Sequence, residues 1–466
     1  MGASADSDDA LSSAVMWTQG VQLPWSFDPL EALRRVAADR PALLLHSGRL
    51  QLPWSRYSIL AEPTGCFMYE NGRSTWQGDP SSLVQNQWTH QPLSDLRYLL
   101  DDREPLWLGY LSYDLGRHIE RLPSQARTDR HWPLVLMQRC AGWGVYDVSR
   151  HTWEGFGCWR NAPPPLEEAT PRTGSYQASE PTSNLTRADF ERRVARALRY
   201  IHEGDVFEVN LAHRFTSVFQ GDSRALFADL IRSSPAWYGA YLELPHDRRP
   251  RRSIASVSPE LFLAVDTHGL VTTRPIKGTL PSTANPDQLW RSQKDIAELN
   301  MVVDMLRNDL GRVCTYGSVQ VGCGRHIESH PGVHHGVATI TGHLHKNKSL
   351  VDLLRATMPG GSVTGAPKVR AMQIIDELEP VRRGPYCGAI GYIHGDTAKF
   401  NIAIRTALIE TDHYGVGRVD YSVGGGIVSD SLPSAEYQET LDKAAPLAQV
   451  IRAAAAHLRL PEPVGM

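Results

Sequence analysis

The sequence predicts an α+β fold built from packed layers of strands and helices. Helical spacing is one sign, because the apolar residues of one segment fall on a single helix face: Phe190, Val194, Leu198 and Ile201. Strand-like alternation is a second sign, in residues 401–409. With 466 residues, of which 41% are hydrophobic, the chain also has enough apolar mass for a large core.

The first half of the chain contains two apolar runs and then a polar segment. Residues 42–45 and 134–137 predict short buried strands. Residues 161–186 are rich in Pro, Ser and Thr without apolar periodicity, so they predict an exposed linker or long loop. This linker divides the chain into an N-terminal region, residues 20–160, and a second region, residues 187–455.

Strands and helices alternate in the second region. Thr186 is suited to cap its first helix. Residues 261–265 and 401–409 predict strands, and residues 287–310 predict one long helix because apolar positions recur at helical spacing. A further helix is expected to begin near Pro367, a residue type suited to a first helical turn.

Composition excludes several classes of protein. The formal net charge is −3, from 48 Lys and Arg against 51 Asp and Glu, which gives no reason to expect a nucleic-acid or membrane partner. The six cysteines form no C-x-x-C pair, so we expect free thiols rather than a zinc site or disulfides. The first 15 residues lack the basic and apolar segments of a secretory signal, and we expect a cytoplasmic protein.

Two pairs of carboxylates have the spacing of helix faces. Asp295 and Glu298 are three residues apart in the predicted long helix, and Glu436 and Glu439 repeat that spacing. Lys443 falls on the face of the second pair, one turn further on. Each pair taken alone is most simply a solvated helix face. Two pairs facing one cavity would form an oxygen-rich site for Mg²⁺, and the spacing alone leaves this open.

Two glycine-rich segments could offer backbone N–H groups to an anion. Residues 359–368 contain three glycines but lack the Gly-Lys-Ser/Thr end of a phosphate-binding P-loop. Residues 424–426 are three consecutive glycines after a predicted strand. Tight turns would explain both segments equally well. Arg405 lies among apolar residues and should therefore meet a carboxylate of the protein or of a ligand.

Lys277 and Glu260 could form a nucleophile and its proton donor. Lys277 follows a proline closely and precedes a glycine, so we expect it in a short turn. A surface amine is the default for any lysine. The functional alternative is a partly desolvated amine whose pKa is lowered and which acts as a nucleophile. Glu260 would be a suitable proton donor if its surroundings raised its pKa, and a strand–turn–strand unit between the two residues could bring them together.

Six segments occur in an order that resembles the catalytic core of the chorismate-utilising enzymes: RPIKGT, DIAELNMVVDMLRNDLGRV, PGGSVTGAPKVRAMQIIDELEP, CGAIGYI, IRTALI and GGGIVSDSLPSAEYQETLDK. The dense part of the resemblance spans residues 205–443, and the segment LLLHSGRLQLPWSRYSILAEP at residues 43–63 extends it to nearly the whole chain. It implies two β-sheets packed against each other and flanked by helices, with the active site in the cleft between them.

The resemblance implies a role for each candidate residue. Glu298 and Glu439 match residues that bind Mg²⁺, and Asp295 and Glu436 match residues that hold its waters. The metal engages the ring carboxylate of chorismate. His335 matches the catalytic-site histidine of the family. The substrate-binding positions are matched by Thr364, Tyr392, Arg405, Gly424, Gly425, Gly426 and Lys443.

Lys277 points to one subfamily. Anthranilate synthases resemble this segment but carry alanine there, whereas enzymes of the aminodeoxychorismate synthase component I type carry lysine. In that type the lysine is proposed to attack C2 of chorismate, while the residue that matches Glu260 protonates the departing C4 hydroxyl. Ammonia then adds at C4 and the lysine leaves. The product, 4-amino-4-deoxychorismate, leads to 4-aminobenzoate and folate.

Two positions depart from the family pattern. Gly336 stands where relatives usually have leucine, which could loosen the packing behind His335. Glu208 stands where close relatives usually carry glutamine and water-using isochorismate synthases carry a lysine base. The missing lysine argues against water as the nucleophile. We expect Glu208 to orient or deprotonate the incoming ammonia.

The resemblance also implies partners. No cysteine lies in the setting of a glutaminase nucleophile, so the expected partner is a separate glutamine amidotransferase subunit that forms a heterodimer and supplies ammonia. Relatives also hold tryptophan in the N-terminal layer, although a plain hydrophobic core is an equal alternative here. The residues that match the tryptophan pocket are Ser47, Trp54, Ser55, Arg56, Tyr57, Trp237, Tyr238 and Gly239.

Two other functions remain as alternatives. One is anthranilate synthase component I, which Lys277 disfavours. The other is a non-catalytic subunit that binds chorismate or tryptophan. The joint presence of acid, nucleophile and metal-ligand positions disfavours the second alternative, because binding alone does not need them.

Overall fold

Two large antiparallel β-sheets pack face to face in this protein, with helices on their outer faces. The computed structural model describes residues 17, 20–78, 88–245, 250–330 and 333–455. The first 15 residues, for which we predicted no secretory signal, lie outside the described part. The arrangement confirms the predicted α+β fold of two packed sheets flanked by helices.

Sheet 1 contains thirteen strands among the described residues: β1 (Val21–Gln22), β2 (Leu43–His46), β3 (Tyr57–Ala61), β8 (Gly142–Asp147), β9 (Thr152–Gly157), β10 (Tyr176–Ala178), β11 (Thr182–Ser183), β12 (Glu208–Gly221), β13 (Tyr238–Glu243), β14 (Arg251–Ser258), β20 (Gly365–Ala366), β23 (Thr406–Thr411) and β24 (Val416–Ile427). Their order is β1-β9-β8-β3-β2-β13-β14-β23-β24-β12-β10, and β11 and β20 also pair with β12.

Sheet 2 contains eleven strands in the same part of the chain: β4 (Gly65–Glu70), β5 (Arg73–Gly78), β6 (Leu106–Leu111), β7 (Val135–Cys140), β15 (Leu261–Val265), β16 (Leu270–Arg274), β17 (Ile276–Pro281), β18 (Gln320–His330), β19 (Val333–His343), β21 (Ala389–His394) and β22 (Thr397–Ile402). Their order is β17-β19-β16-β15-β22-β21-β6-β7-β4-β5, and β18 pairs with β19.

Both sheets take strands from both predicted regions of the chain. In sheet 1, β2 of the N-terminal region pairs with β13, and in sheet 2, β6 pairs with β21. The segment predicted as a linker, residues 161–186, supplies β10 and β11, which pair with β12. Strand pairing uses backbone groups, so a segment without apolar periodicity can still join a sheet edge.

The helices of the described residues lie outside the two sheets: α1 (Pro29–Arg35), α2 (Pro92–Leu99), α3 (Arg187–His202), α4 (Ser223–Ser233), α5 (Asp287–Arg291), α6 (Gln293–Gly311), α7 (Leu350–Thr357), α8 (Lys368–Leu378) and α9 (Pro433–Ala455). None of them combines the length and the apolar character that crossing a membrane requires. The cysteines whose side chains are described carry free thiols, as predicted: Cys66, Cys140, Cys158, Cys314 and Cys387.

The predicted helix starts and ends are correct in part. Thr186 caps α3, because its side chain accepts a hydrogen bond from the backbone N–H of Asp189. The single helix predicted over residues 287–310 is wrong, since α5 ends at Arg291 and α6 begins after Ser292. The Ser292 hydroxyl accepts a hydrogen bond from the Asp295 N–H, and an N-cap of this kind starts a new helix.

The single strand predicted over residues 401–409 is also wrong. β22 ends at Ile402 in sheet 2, and β23 begins at Thr406 in sheet 1. Between them Arg405 has a φ of +49°, in the left-handed region, which breaks the extended geometry. The chain therefore crosses from one sheet to the other at Arg405, a change of direction that alternating hydrophobicity cannot reveal.

Apolar side chains fill three layers. The middle layer lies between the sheets and includes Leu108 of β6 and Leu242 of β13. The outer layers pack helices onto the sheets, with Leu299 of α6 in the cluster of sheet 2 and Leu447 of α9 in that of sheet 1. Burial on both faces explains why many strands are apolar at successive positions.

Candidate functional site

The candidate site forms where two connections between the sheets run side by side. One connection carries Glu260, between β14 of sheet 1 and β15 of sheet 2. The other carries Arg405, between β22 and β23. Backbone hydrogen bonds join them, from Val257 N to the Arg405 carbonyl (3.0 Å) and from Ile402 N to the Glu260 carbonyl (3.1 Å). The fold therefore fixes Glu260 and Arg405 as neighbours in the cleft between the sheets.

Glu260 has the environment that a proton donor needs. Its side chain is buried, and Ser362 Oγ donates a hydrogen bond of 2.5 Å to its Oε1. Burial raises the pKa of Glu260 to about 7, against the opposing effects of Ser362 and the Lys277 charge. A carboxyl with this pKa is substantially protonated near neutral pH and can donate that proton.

Ser362→Ala should raise the pKa of Glu260 further. The serine hydroxyl stabilises the ionised carboxylate, so its loss favours the protonated form. We expect the alkaline limb of the pH profile of kcat/KM to move up by about one pH unit. A profile that stays in place would show that Glu260 does not control this limb. Ser26→Ala, at an exposed serine, is the matched control.

Lys277 lies at the same end of sheet 2 as Glu260. β15 and β16 form a hairpin in which Leu261 pairs with Arg274, so the residues that flank this pair come together. The predicted strand–turn–strand unit is confirmed. The predicted short turn at Lys277 is wrong, because Lys277 lies inside β17, in a bulge where Gly278 has a φ of +80°. The bulge changes the direction in which the Lys277 side chain points, while the strand continues past it.

Carboxylates surround the Lys277 amine. Its Nζ makes an ion pair with Glu208 and lies 3.7 Å from Glu298 Oε2. Burial acts to lower the pKa of Lys277, but the charges of Glu208 and Glu298 outweigh it and raise that pKa. The expectation of a lowered pKa is therefore wrong in this structure. Lys277 rests as an ammonium and must lose a proton before it can act as a nucleophile.

The two helices that carry the predicted metal ligands meet at one place. Glu298 of α6 and Glu436 of α9 both contact the ammonium of Lys294, at 3.9 Å and 3.7 Å. Burial raises the pKa of Glu298 to about 7 and raises that of Glu436, with Lys294 opposing both effects. Asp295 lies on the same turn as Glu298 and contributes to the charge around it. Glu298 and Glu436 therefore lie on either side of one ammonium, between the two helices.

The donor set fits Mg²⁺ in its chemistry. Among the described residues, no group of three or more His, Cys, Asp or Glu side chains is placed to hold a metal ion. Mg²⁺ needs only one or two carboxylates, since it keeps waters and takes oxygens from the substrate. Glu436 Oε2 is buried without a hydrogen-bond partner among the described residues, while Ser431 Oγ donates to Oε1 at 2.6 Å. The Lys294 ammonium lies between these two carboxylates, where a bound metal ion would also lie.

The glycines at 424–426 belong to β24 and not to a tight turn. They pair with Asn210, Leu211 and Ala212 of β12. A Cβ atom on Gly425 would lie 3.4 Å from Glu436 Oε2 and 3.5 Å from Glu439 Oε1, and one on Gly426 would overlap the Glu208 carboxylate. The glycines therefore let acidic side chains approach the strand backbone.

Lys443 contacts both the glycine strand and the metal-ligand candidate Glu439. Its Nζ donates to the Gly424 carbonyl at 3.2 Å and lies 2.6 Å from Glu439 Oε1. The Lys443 charge lowers the pKa of Glu439 against the opposing effect of burial. Glu439 is therefore ionised near neutral pH, which a metal ligand requires.

The three remaining predicted positions, Thr364, His335 and Tyr392, are buried. Thr364 is buried and donates its hydroxyl to the Gly360 carbonyl at 3.1 Å. His335 is opposite Thr279 in the β17–β19 pair, with His335 Nδ1 2.9 Å from Thr279 Oγ1. Tyr392 lies in the core between the sheets, with its ring 5.9 Å from that of Trp17.

Gly336 tightens the packing beside His335 and does not loosen it. A Cβ atom at this position would lie 2.6 Å from the Lys277 carbonyl oxygen, well inside van der Waals contact. Glycine therefore allows β19 to approach β17 closely behind the Lys277 side chain. The expectation of looser packing is wrong.

Residues 40–449 match the chorismate binding enzyme family. The chain belongs to this family. The resemblance seen in the sequence is thereby confirmed, and the protein is a chorismate-binding enzyme.

Relatives of two named activities are similar to this enzyme. Aminodeoxychorismate synthase component 1 of Escherichia coli (strain K12) is 38% identical, covering 91% of this chain and 96% of the relative. Anthranilate synthase component 1 of Saccharolobus solfataricus is 34% identical, covering 84% and 88%. The crystal structure of anthranilate synthase component I from Streptococcus pneumoniae TIGR4 has a TM-score of 0.71 at 26% identity, covering 93% of this chain and all of that one (100%).

The residues predicted for a tryptophan pocket gather around two cations in this chorismate-binding enzyme. The Arg274 guanidinium lies 3.8 Å from the Trp54 ring centroid and 5.9 Å from that of Trp237. Lys399 Nζ donates to the Trp54 carbonyl at 2.7 Å and lies 5.2 Å from the Tyr238 ring centroid. Burial and the Arg274 charge lower the pKa of Lys399 to about 8. Trp54, Trp237 and Tyr238 also belong to a small hydrophobic cluster, so apolar packing accompanies the two cations.

Other residues of that group are engaged in local contacts. Ser47 Oγ donates to the Tyr57 carbonyl at 2.7 Å, and Arg56 pairs with Asp147 at 2.7 Å. Ser55 Oγ donates to the Trp237 carbonyl at 3.4 Å. Gly239 sits in β13 with its backbone opposite His46. Tryptophan binding stays a prediction.

Three polar residues of the site had no role in the sequence analysis. Ser362 contacts Glu260, Ser431 contacts Glu436, and Lys294 bridges α6 and α9. Lys294 is one helical turn before Glu298, a spacing that could have suggested the contact. Ser362 lies in a short 3-10 helix, Gly361–Val363, and Ser431 lies in a loop; the sequence holds no comparable signal for either.

Proposed function

We propose that this chorismate-binding enzyme aminates chorismate at C4, as an aminodeoxychorismate synthase component I. The buried Lys277 amine, which shares the cleft with a Glu260 carboxyl of pKa about 7, is the observation that supports this most directly. Alanine at this position, the anthranilate synthase pattern, would supply no nucleophile. The names of the 37% and 38% identical relatives support the same activity.

The first half of the proposed reaction makes a covalent bond to Lys277. The ammonium first gives up a proton, for which the Glu208 carboxylate is the acceptor in contact. The neutral Nζ then attacks C2 of chorismate, the two ring double bonds shift by one position toward C4, and the C4–O bond breaks. Glu260 supplies the proton with which the hydroxyl leaves as water. One difficult substitution is thereby divided into two easier ones.

The second half releases the lysine. Ammonia attacks C4, the double bonds shift back, and the C2–Nζ bond breaks, so Lys277 leaves as a neutral amine. A proton of the added ammonia returns to Glu260, which restores the acid. We propose that a glutamine amidotransferase subunit delivers the ammonia in a heterodimer, in line with the name component 1 of the relatives. The product would enter 4-aminobenzoate and folate synthesis.

Mg²⁺ is part of this proposal. Glu298 and Glu439 would hold the ion, and Asp295 and Glu436 would hold its waters. When bound, Mg²⁺ would neutralise the ring carboxylate of chorismate and withdraw electron density from the ring. Arg405 and the strand at 424–426 would hold the enolpyruvyl carboxylate, because a cation and backbone N–H groups suit an anion there.

Lys294→Met should strengthen Mg²⁺ binding to the free enzyme. The ammonium competes with a metal for the Glu298 and Glu436 carboxylates, so its removal should raise the affinity by about threefold to tenfold. Isothermal titration calorimetry with MgCl₂ alone measures this without any turnover. Lys348→Met, at an exposed position, is the matched control. Unchanged or weaker binding would contradict this role for Lys294.

Product analysis tests the proposed function. The enzyme would be incubated with chorismate, Mg²⁺ and ammonium at mildly alkaline pH, and the products identified by mass spectrometry and fluorescence. Aminodeoxychorismate, convertible to 4-aminobenzoate by an added lyase, is the expected result. Fluorescent anthranilate would instead assign the enzyme to the anthranilate synthase type. No product, even with a glutaminase partner present, would support a binding subunit.

A further inference from the structure

Glu208 reaches the Lys277 amine from the opposite sheet. It is the first residue of β12 in sheet 1, whereas Lys277 lies in β17 of sheet 2. Both side chains are buried, and Glu208 Oε1 accepts a hydrogen bond from Lys277 Nζ. The contact therefore joins the two walls of the cleft at the proposed nucleophile.

A second carboxylate holds the amine from another direction. Glu298 of α6 lies 3.7 Å from Lys277 Nζ, so the amine is anchored between a strand and a helix. A lysine side chain has four rotatable bonds and samples many positions when it is free. Two anchors on separate elements restrict these positions to those in which Nζ points into the cleft.

The glycine at 426 makes room for the contact. A Cβ atom there would overlap the Glu208 carboxylate and lie 3.0 Å from Lys277 Nζ. Because β24 runs beside β12 at this point, with Gly426 opposite Asn210, any side chain would separate Glu208 from Lys277. One glycine of the triplet is thus required by the Glu208–Lys277 pair itself.

We propose that Glu208 both positions the Lys277 amine and takes up its proton, so that it acts in the first half of the reaction and not on the incoming ammonia. The inference rests on the proposed function. It replaces the expectation from the sequence, in which Glu208 served ammonia. The second oxygen of Glu208 is buried without a hydrogen-bond partner among the described residues, so the carboxylate is held through its contact with Lys277.

Single-turnover and steady-state rates separate these two roles. Without ammonia, the holoenzyme mixed with chorismate should accumulate the Lys277 adduct, measured by mass spectrometry of the quenched protein. In Glu208→Gln, a near-isosteric change, we expect adduct formation to slow by roughly tenfold to hundredfold, because small displacements of a nucleophile have effects of this size. The KM for ammonium should stay within about twofold of the native value, because Glu208 does not contact ammonia in the proposed role.

Matched variants make the test decisive. Glu208→Asp keeps the charge but shortens the side chain by one methylene, and it should slow adduct formation as well. Glu180→Gln removes a carboxylate from an exposed ion pair with Arg452 and should leave both rates unchanged. Thermal melting of each variant checks that the fold is retained.

The opposite results would overturn the proposal. A higher KM for ammonium with an unchanged rate of adduct formation would assign Glu208 to ammonia. Adduct formation at the native rate with no other change would leave Glu208 without a role. Aminodeoxychorismate made by the native enzyme without any adduct would overturn the covalent route and this inference together. Absence of aminated product from the native enzyme would be a failure of the proposed function itself.

Discussion

Lys277→Ala should reduce the formation of aminodeoxychorismate by about 10³-fold, the scale of loss when an essential catalytic group is removed. The amine is buried in the cleft between Glu208 and Glu298, and alanine supplies no amine at this position. Initial rates with saturating chorismate and ammonium, followed by product mass spectrometry, measure the loss.

Lys277→Arg separates the charge of the side chain from its chemistry. A guanidinium keeps the positive charge that Glu208 and Glu298 require, but it stays protonated and cannot attack C2. We therefore expect a loss comparable to that of the alanine variant, with the fold retained. Lys348→Ala, at an exposed position, should behave as the native enzyme. An arginine variant with more than half of the native rate would contradict a nucleophilic role for Lys277.

Glu260→Gln should lower kcat by about 10²–10⁴-fold and remove the alkaline limb of the pH profile. A general acid works only when it is protonated. Because burial raises the pKa of Glu260 to about 7, kcat/KM of the native enzyme should fall as pH rises through that value. Rates of the native enzyme and of the variant across the neutral pH range measure both effects. An alkaline limb that persists in Glu260→Gln would assign it to another group.

The same pKa predicts a change of stability with pH. The folded protein binds a proton at Glu260 more tightly than the unfolded chain does, so the native state is favoured below the unfolded pKa and loses this contribution as pH rises toward about 7. Glu260→Gln does not titrate here. Its melting temperature relative to the native enzyme should therefore increase between about pH 5 and pH 8. A constant difference would show that the raised pKa is absent in solution.

Local sequence patterns determined much of the fold and the candidate set. The apolar spacing at Phe190 and Val194 and the cap at Thr186 predicted α3, because both act within a few residues. The spacing of Asp295 and Glu298 placed them on one helix face for the same reason. The family resemblance implied that Lys277 and Glu260 act together. The hairpin between them was predicted from the strand and turn pattern of the sequence.

Long-range contacts decided what the sequence left open. The chain crosses between the sheets at Arg405 because β23 pairs with strands of sheet 1 and not of sheet 2. The ion pair of Glu208 with Lys277 joins residues 69 positions apart in the chain. The pKa of Lys277 shows the consequence, because burial alone would lower it and the surrounding carboxylates reverse the sign. A sequence states which groups can ionise. Only the tertiary structure brings charges from separate elements together in a region shielded from water, and their distances there determine which protonation state is stable.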